Sequence, residues 1–201
     1  MTNTPGARGG DREGLFRRAP TGVVFSPVQN LLNYTRRSGG EFASVDLNAV
    51  VDSTLALLQS HLGQAGIAVR VEKGVLPAIE GNFNELCTVL TNLLMNARDA
   101  LATEGNQGII GITTAKVGGE VMLRVRDNGP GIPAELKERI FDPFYTTKPV
   151  GSGTGLGLSI VQGIVRRHQG RIEVESEEGG GVTFAVYLPT LEKRSQTEGG
   201  T

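Results

Sequence analysis

Two hairpin signatures in the second half of the chain limit its fold more than any other feature. Residues 109–115 and 120–126 alternate apolar and polar side chains around Val117-Gly118-Gly119, and residues 171–176 and 182–188 do the same around a turn at 177–181. A period of two marks strands with one buried face, and glycine supplies the backbone freedom such turns need. Between the hairpins, residues 155–168 switch to helical spacing, with Leu158, Ile160 and Val161 opening an apolar face. Upstream, residues 47–62 form a predicted helix with Asp46 as cap and Val50, Val51, Leu55, Leu58 and Leu62 as its apolar face. Residues 67–72 alternate as a strand, and residues 83–102 form a long helix capped by Asn82. Hairpins interleaved with helices exclude repeated strand–helix–strand units. They predict an α+β fold: a two-layer α/β sandwich whose mixed, mostly antiparallel sheet is covered by helices.

The ends read differently. Residues 1–22 lack apolar periodicity and are expected to be disordered, and residues 23–40 hold a short helix that begins near Ser26-Pro27. The domain proper is expected at 41–190, followed by a polar tail at 191–201. A net charge of −1 over 201 residues gives no basic field for nucleic acid, and no apolar run is long enough to span a bilayer. Cys87 is the single cysteine, which excludes an intrachain disulfide and fits a reducing, cytoplasmic setting; its apolar neighbours make it an expected core residue. With only two histidines far from it in sequence, no zinc-type spacing exists.

Chemistry concentrates in four islands. In residues 92–100 (NLLMNARDA), Asn92, Asn96 and Asp99 share one helical face while Leu93, Leu94, Ala97 and Leu101 face mainly elsewhere. A neutral amide oxygen suits Mg²⁺ and adds no negative charge beside a triphosphate. In residues 127–133 (DNGPGIP), Asp127 ends a strand, where a carboxylate can accept from an exocyclic amine such as that of adenine. Gly129 and Gly131 there let a base approach the backbone, although Asp-Asn-Gly alone would read as a turn. In residues 141–148 (FDPFYTTK), Phe141, Phe144 and Tyr145 form an aromatic hinge beneath Thr146, Thr147 and Lys148, whose ammonium suits phosphate. In residues 151–159 (GSGTGLGLS), alternating glycines open a helix whose first amides can bind phosphate. Neither the Rossmann nor the P-loop glycine pattern is met.

Together the islands resemble the four boxes of the histidine-kinase, gyrase and heat-shock-chaperone ATPase superfamily, the Bergerat or GHKL fold. The FDPFYTTK run and residues 155–170 (GLGLSIVQGIVRRHQG) are most similar to the catalytic domain of two-component sensor histidine kinases. The resemblance implies ATP and Mg²⁺ as cofactors, Asn96 as the metal ligand, and Asp127 as the adenine partner. Asn92 and Lys148 would lie beside the phosphates and, with Asn96, carry the catalysis. Gly129 and Gly131 would flank the base, and Gly153, Gly155 and Gly157 would form the phosphate-side end of a mobile lid. Thr183 would support Asp127 through water. Ile132, Phe141, Phe144, Thr146, Thr147, Thr154, Leu156 and Leu158 complete the implied nucleotide site. Asp99, where many such kinases carry lysine or another polar residue, is assigned no role.

Two departures shape the expected activity. The hydrolases of the superfamily place a water-activating Glu one turn before the metal Asn. Here that position is Asn92, which cannot accept a proton usefully, so phosphoryl transfer is favoured over hydrolysis. Neither His61, followed by Leu-Gly, nor His168, followed by Gln-Gly, has the context of a phosphoacceptor. His61 reads as a surface residue, and His168 as a helix-end residue where a cation is favoured. The implied partners are a histidine-bearing dimerisation domain outside this chain and a response-regulator receiver domain. The alternatives are a nucleotide-binding regulatory module without turnover, or a serine kinase or ATPase of the same superfamily.

Overall fold

The computed structural model describes residues 41–102, 108–148 and 153–192. The helix expected within 23–40, the disordered start, and all but the first two residues of the tail lie outside them. So does the middle of the expected lid. Element order is β1 (Ala43–Val45), α1 (Leu47–Gln64), β2 (Ala68–Lys73), β3 (Ile79–Gly81), α2 (Phe83–Leu101), β4 (Ile109–Val117), β5 (Glu120–Asp127), a single 3-10 turn (Ala134–Leu136), α3 (Gly157–Arg167), β6 (Arg171–Glu177) and β7 (Gly181–Pro189).

Five strands form one sheet in the order β2-β4-β5-β7-β6. Both expected hairpins are present, and β5 pairs antiparallel with β7 to join them. Only β2 runs parallel to its neighbour, β4, because α2 provides the crossover between them. The expected two-layer sandwich, mostly antiparallel, is what the chain adopts. The pairing of β1 with β3 was not expected. Each of these strands is three residues long, too short for a period to register.

Side-chain period decides the layers. Ile110, Ile112, Val121, Leu123, Val125, Phe184, Val186 and Leu188 bury the sheet face on which the helices pack. Helix α2 answers with Leu86, Leu90, Leu93, Leu94, Ala97 and Leu101, all buried, and both α1 and α3 pack against it. Each such side chain contributes about 1.5–3 kcal/mol of transfer free energy, so the stripe fixes the rotation of α2 about its axis. The Asn92–Asn96–Asp99 face is thereby turned away from the sheet. Both predicted caps form: Asp46 accepts from the Asn48 amide at 2.8 Å, and Asn82 from the Glu85 amide at 3.2 Å.

Candidate functional site

The half-buried amides of α2 meet the start of α3. Asn92 donates from Nδ2 to the Thr88 carbonyl at 2.8 Å, which orients its Oδ1 outward. A methyl group on Gly157 would lie 3.0 Å from that Oδ1 and 3.9 Å from Asn96 Nδ2, so the first turn of α3 abuts both amides. Among the described residues no side chain caps α3; Thr154 Oγ1 accepts from the Leu156 amide, at 3.3 Å, and Ser159 donates to the Leu156 carbonyl. An uncapped helix start beside two amides provides donors for anionic oxygens and acceptors for a hard cation in one place. The predicted helix start at Gly155 moves to Gly157, because Gly155 adopts a left-handed conformation (φ 63°).

Asp127 sits at the other end. It continues the buried alternation of β5, and its Oδ1 accepts from the Gly129 amide at 2.9 Å and the Val182 amide at 3.3 Å. Burial pushes its carboxyl above the ordinary aspartate value; the Gly129 and Val182 amides and the Arg126 charge pull the other way without overcoming it. With Oδ1 held by backbone, Oδ2 is the oxygen available to a ligand. The loop behind it is locked to the β6–β7 turn. Gly131 (φ 81°) has the Glu177 carbonyl where a Cβ would stand, at 2.0 Å, and Ser176 Oγ accepts from the Ile132 amide while donating to the Gly181 carbonyl, both at 2.8 Å. Ser176 and Gly181 were missed by the sequence reading; both sit in a hairpin whose turn residues gave no hint of their distant partner.

The aromatic hinge divides. Phe141 packs against the core, edge-on to Phe184 at 6.5 Å between ring centres, and Tyr145 lies under the Arg139 guanidinium at 4.5 Å. Phe144 instead points outward, 75% exposed, in a left-handed conformation (φ 67°). Its amide donates to the Gly155 carbonyl at 2.8 Å. A side chain on Gly155 would meet the Phe144 backbone at 2.4 Å, so this close approach requires glycine. Phe141 and Tyr145 are therefore the packed part of the hinge. Thr146 Oγ1 accepts from the Lys148 amide at 3.1 Å, Thr147 is exposed, and Leu158 packs against the core.

Register sets the Thr183 side chain on the sheet face opposite that of Asp127. It stands opposite Arg126 across the β5–β7 pair, and with Arg70, Arg124, Arg126 and Glu175 it lines a hollow of about 450 Å³ whose rim also includes Asp127 and Asn128. Alternation gives Val182, not Thr183, the Asp127 side of β7, and valine has no hydroxyl to hold water. Thr183→Val is therefore expected to leave ATP affinity within about twofold of wild type in a titration, well inside the weight of one hydrogen bond. A tenfold loss would restore the sequence-based role.

Three other expectations are revised. Asp99 is not idle: its Oδ2 pairs with Lys148 Nζ at 2.5 Å and its Oδ1 with the Arg98 guanidinium. His168 does flank the end of α3, but as a buried neutral ring. Its Nε2 accepts from the Asn82 amide at 3.0 Å, so the proton resides on Nδ1, which donates to the Ile164 carbonyl at 2.8 Å. The same corner holds the ring of Phe42 at 4.7 Å and the Glu85–Arg167 ion pair. Cys87 is partly rather than fully buried, and burial raises its thiol. His61 is exposed in the last turn of α1, as expected.

Known proteins resemble this chain in sequence and in fold. The family model for histidine kinase-, DNA gyrase B- and HSP90-like ATPases matches residues 81–192, more than half of the chain. Sensor histidine kinase ZraS of Escherichia coli (strain K12) is 36% identical over 173 residues, which cover 86% of this chain and 36% of that protein. The chain thus spans about a third of the length of such curated relatives. Among solved structures, a nucleotide-free catalytic domain of histidine kinase ThkA is 38% identical with a TM-score of 0.67, over 77% of this chain and 99% of that one. ThkA in complex with response regulator protein TrrA is 32% identical with a TM-score of 0.66, over 81% of this chain and 46% of that one.

Proposed function

The chain belongs to the histidine kinase-, DNA gyrase B- and HSP90-like ATPase family and is similar over most of its described length to histidine-kinase catalytic domains, and from that premise we propose that it binds Mg·ATP and transfers the γ-phosphoryl group to a histidine on a dimerisation domain. What chiefly supports this reading is the meeting of Asn92, Asn96 and the uncapped start of α3, with the buried Asp127 carboxylate marking the base end. ATP would lie between α2 and the 127–132 loop, with its phosphates toward Gly157. Asn96 would hold the Mg²⁺; it has no side-chain hydrogen bond among the described residues, and the donor set of amides and phosphate oxygens suits a hard cation. Bound there, the metal would supply charge neutralisation on the transferring group. Asp127 Oδ2 would accept from the adenine amine. The helix amides of Gly157 and Leu158 and the Lys148 ammonium would stabilise the phosphates.

Transfer rather than hydrolysis follows from the groups nearest Asn96. Asn92 is an amide bonded back to its own helix, and the Asp99 carboxylate is engaged by two cations, so neither is a competent base for water. The acceptor is not His168, which is 1% exposed with both ring nitrogens hydrogen-bonded. We place the chain in a two-component system, with a receiver domain as the next acceptor and the cytoplasm as its compartment. The full chain mixed with a histidine-bearing dimerisation domain and γ-labelled ATP is expected to yield acid-labile, base-stable label on that partner. ATP binding without label on any cognate partner would instead indicate a regulatory nucleotide module.

A further inference from the structure

Lys148 is engaged by a side chain of the protein's own helix α2. Its Nζ lies 2.5 Å from Asp99 Oδ2, across 49 positions of sequence, with both side chains about a third exposed. The second oxygen, Oδ1, receives Nε of Arg98 at 2.9 Å and Nη2 at 2.5 Å. Two further contacts give the pair a defined place. The Lys148 stem runs against Gly153, where a Cβ would stand 3.0 Å from its Cδ. Asp99 lies one helical turn beyond Asn96, and its neighbour Ala100 abuts Gly129 of the base loop, 3.5 Å from where a Cβ there would be. The carboxylate thus sits between the metal end and the base end of the proposed site.

We propose that Asp99 is a positioning residue for the phosphate end of this site, holding the Lys148 ammonium in place through one of its three N–H groups. The inference rests on the nucleotide reading above and adds to it a residue that the resemblance left without a role. Three physical points support it. A free lysine on an exposed loop stem samples many rotamers, and ordering it on binding opposes affinity; a pre-formed ion pair removes part of that penalty. One N–H directed at Asp99 leaves two for phosphate oxygens. A lone carboxylate here would repel a triphosphate, but Arg98 occupies its other oxygen, so the trio keeps a single net positive charge.

The test is a titration of the full chain with Mg·ATP, ADP and adenosine, for wild type, Asp99→Asn, Asp99→Glu, Lys148→Met and the Asp99→Asn/Lys148→Met double variant. Asp99→Asn is expected to weaken ATP about tenfold, the scale of one charge-assisted contact, and adenosine less than about twofold. Asp99→Glu is expected to recover part of the loss. With Lys148 already replaced, Asp99→Asn is expected to add nothing, since its effect runs through the ammonium. Three outcomes overturn the proposal: tighter ATP binding by Asp99→Asn, which would make Asp99 a competitor of phosphate; equal losses for ATP and adenosine; or an undiminished loss in the Lys148→Met background, which would indicate direct contact with metal or ligand. If wild type binds no ATP, the site reading itself fails. If wild type binds ATP and Asp99→Asn is neutral, only the role of Asp99 fails.

Discussion

Replacing Asn96 with alanine is expected to abolish the Mg²⁺-dependent part of ATP binding and to lower phosphotransfer by roughly 10²–10³-fold, the range for losing one preorganised electrostatic contact. The fold should tolerate the change. Asn96 lies on the face of α2 turned from the sheet, and alanine is the better helix former, so stability should change by less than about 0.5 kcal/mol. Two measurements decide the matter: calorimetric titration of ATP with Mg²⁺ and with a chelator, and thermal unfolding without nucleotide. Wild type should show a large difference between the two titrations and the variant almost none. A variant that keeps the Mg²⁺ dependence would remove Asn96 from the metal site. A variant that loses binding together with several degrees of melting temperature would mean the residue is structural.

Asp127→Asn separates recognition from stability in opposite directions. Asparagine keeps an Oδ1 for the Gly129 and Val182 amides but turns an NH₂ donor toward the ligand, where Asp127 offers an acceptor. Adenine presents a donor there and guanine a carbonyl. The ATP-over-GTP preference should therefore fall by about 1–3 kcal/mol, or roughly 5- to 150-fold. The folded domain should meanwhile gain stability at neutral pH. Burial raises the Asp127 pKa above 3.8, so the ionised form is less favourable in the folded than in the unfolded chain. That penalty is present above the folded pKa and is relieved as pH falls through it, so the variant's advantage should shrink toward acid. Binding shows the reverse trend in wild type: ATP affinity should decline in a window that opens above the ordinary aspartate value, because the protonated carboxyl no longer accepts. In the variant that decline should be missing. Unchanged nucleotide preference would end the base-reading role, whatever the stability data show.

Much of the proposed site was legible in the chain because its parts lie close in sequence. Asn92, Asn96 and Asp99 share a face by helical geometry alone, and burial of Leu90, Leu93, Leu94 and Ala97 on the sheet leaves that face no other direction. Asp127 could be located from its strand end and the glycines after it. The face taken by Thr183 could not be read at the same level of argument. A period of two assigns a residue to one of two faces, and only the register with β5 shows which; one position, Val182 against Thr183, reverses the outcome. The outward orientation of Phe144 was hidden for a different reason. Its left-handed backbone depends on the carbonyl of Gly155, a contact that no local propensity encodes.

The sequence by itself determined the layers of this protein, the order of its longer strands and helices, and the residue types at both ends of the proposed nucleotide site. Those follow from short-range periods of 2 and 3.6, because apolar surface must leave water in register with the backbone. Only the tertiary structure decided which polar groups meet. It paired Lys148 with Asp99, closed the base loop on Ser176 and Gly181, and buried His168 as a neutral ring beneath the Asn82 cap. Such partners are tens of residues apart, and a charge or a hydrogen-bonding group carries no mark of its distant counterpart. The choice is made when helices and sheet pack and most buried polar groups find a partner within about 3 Å.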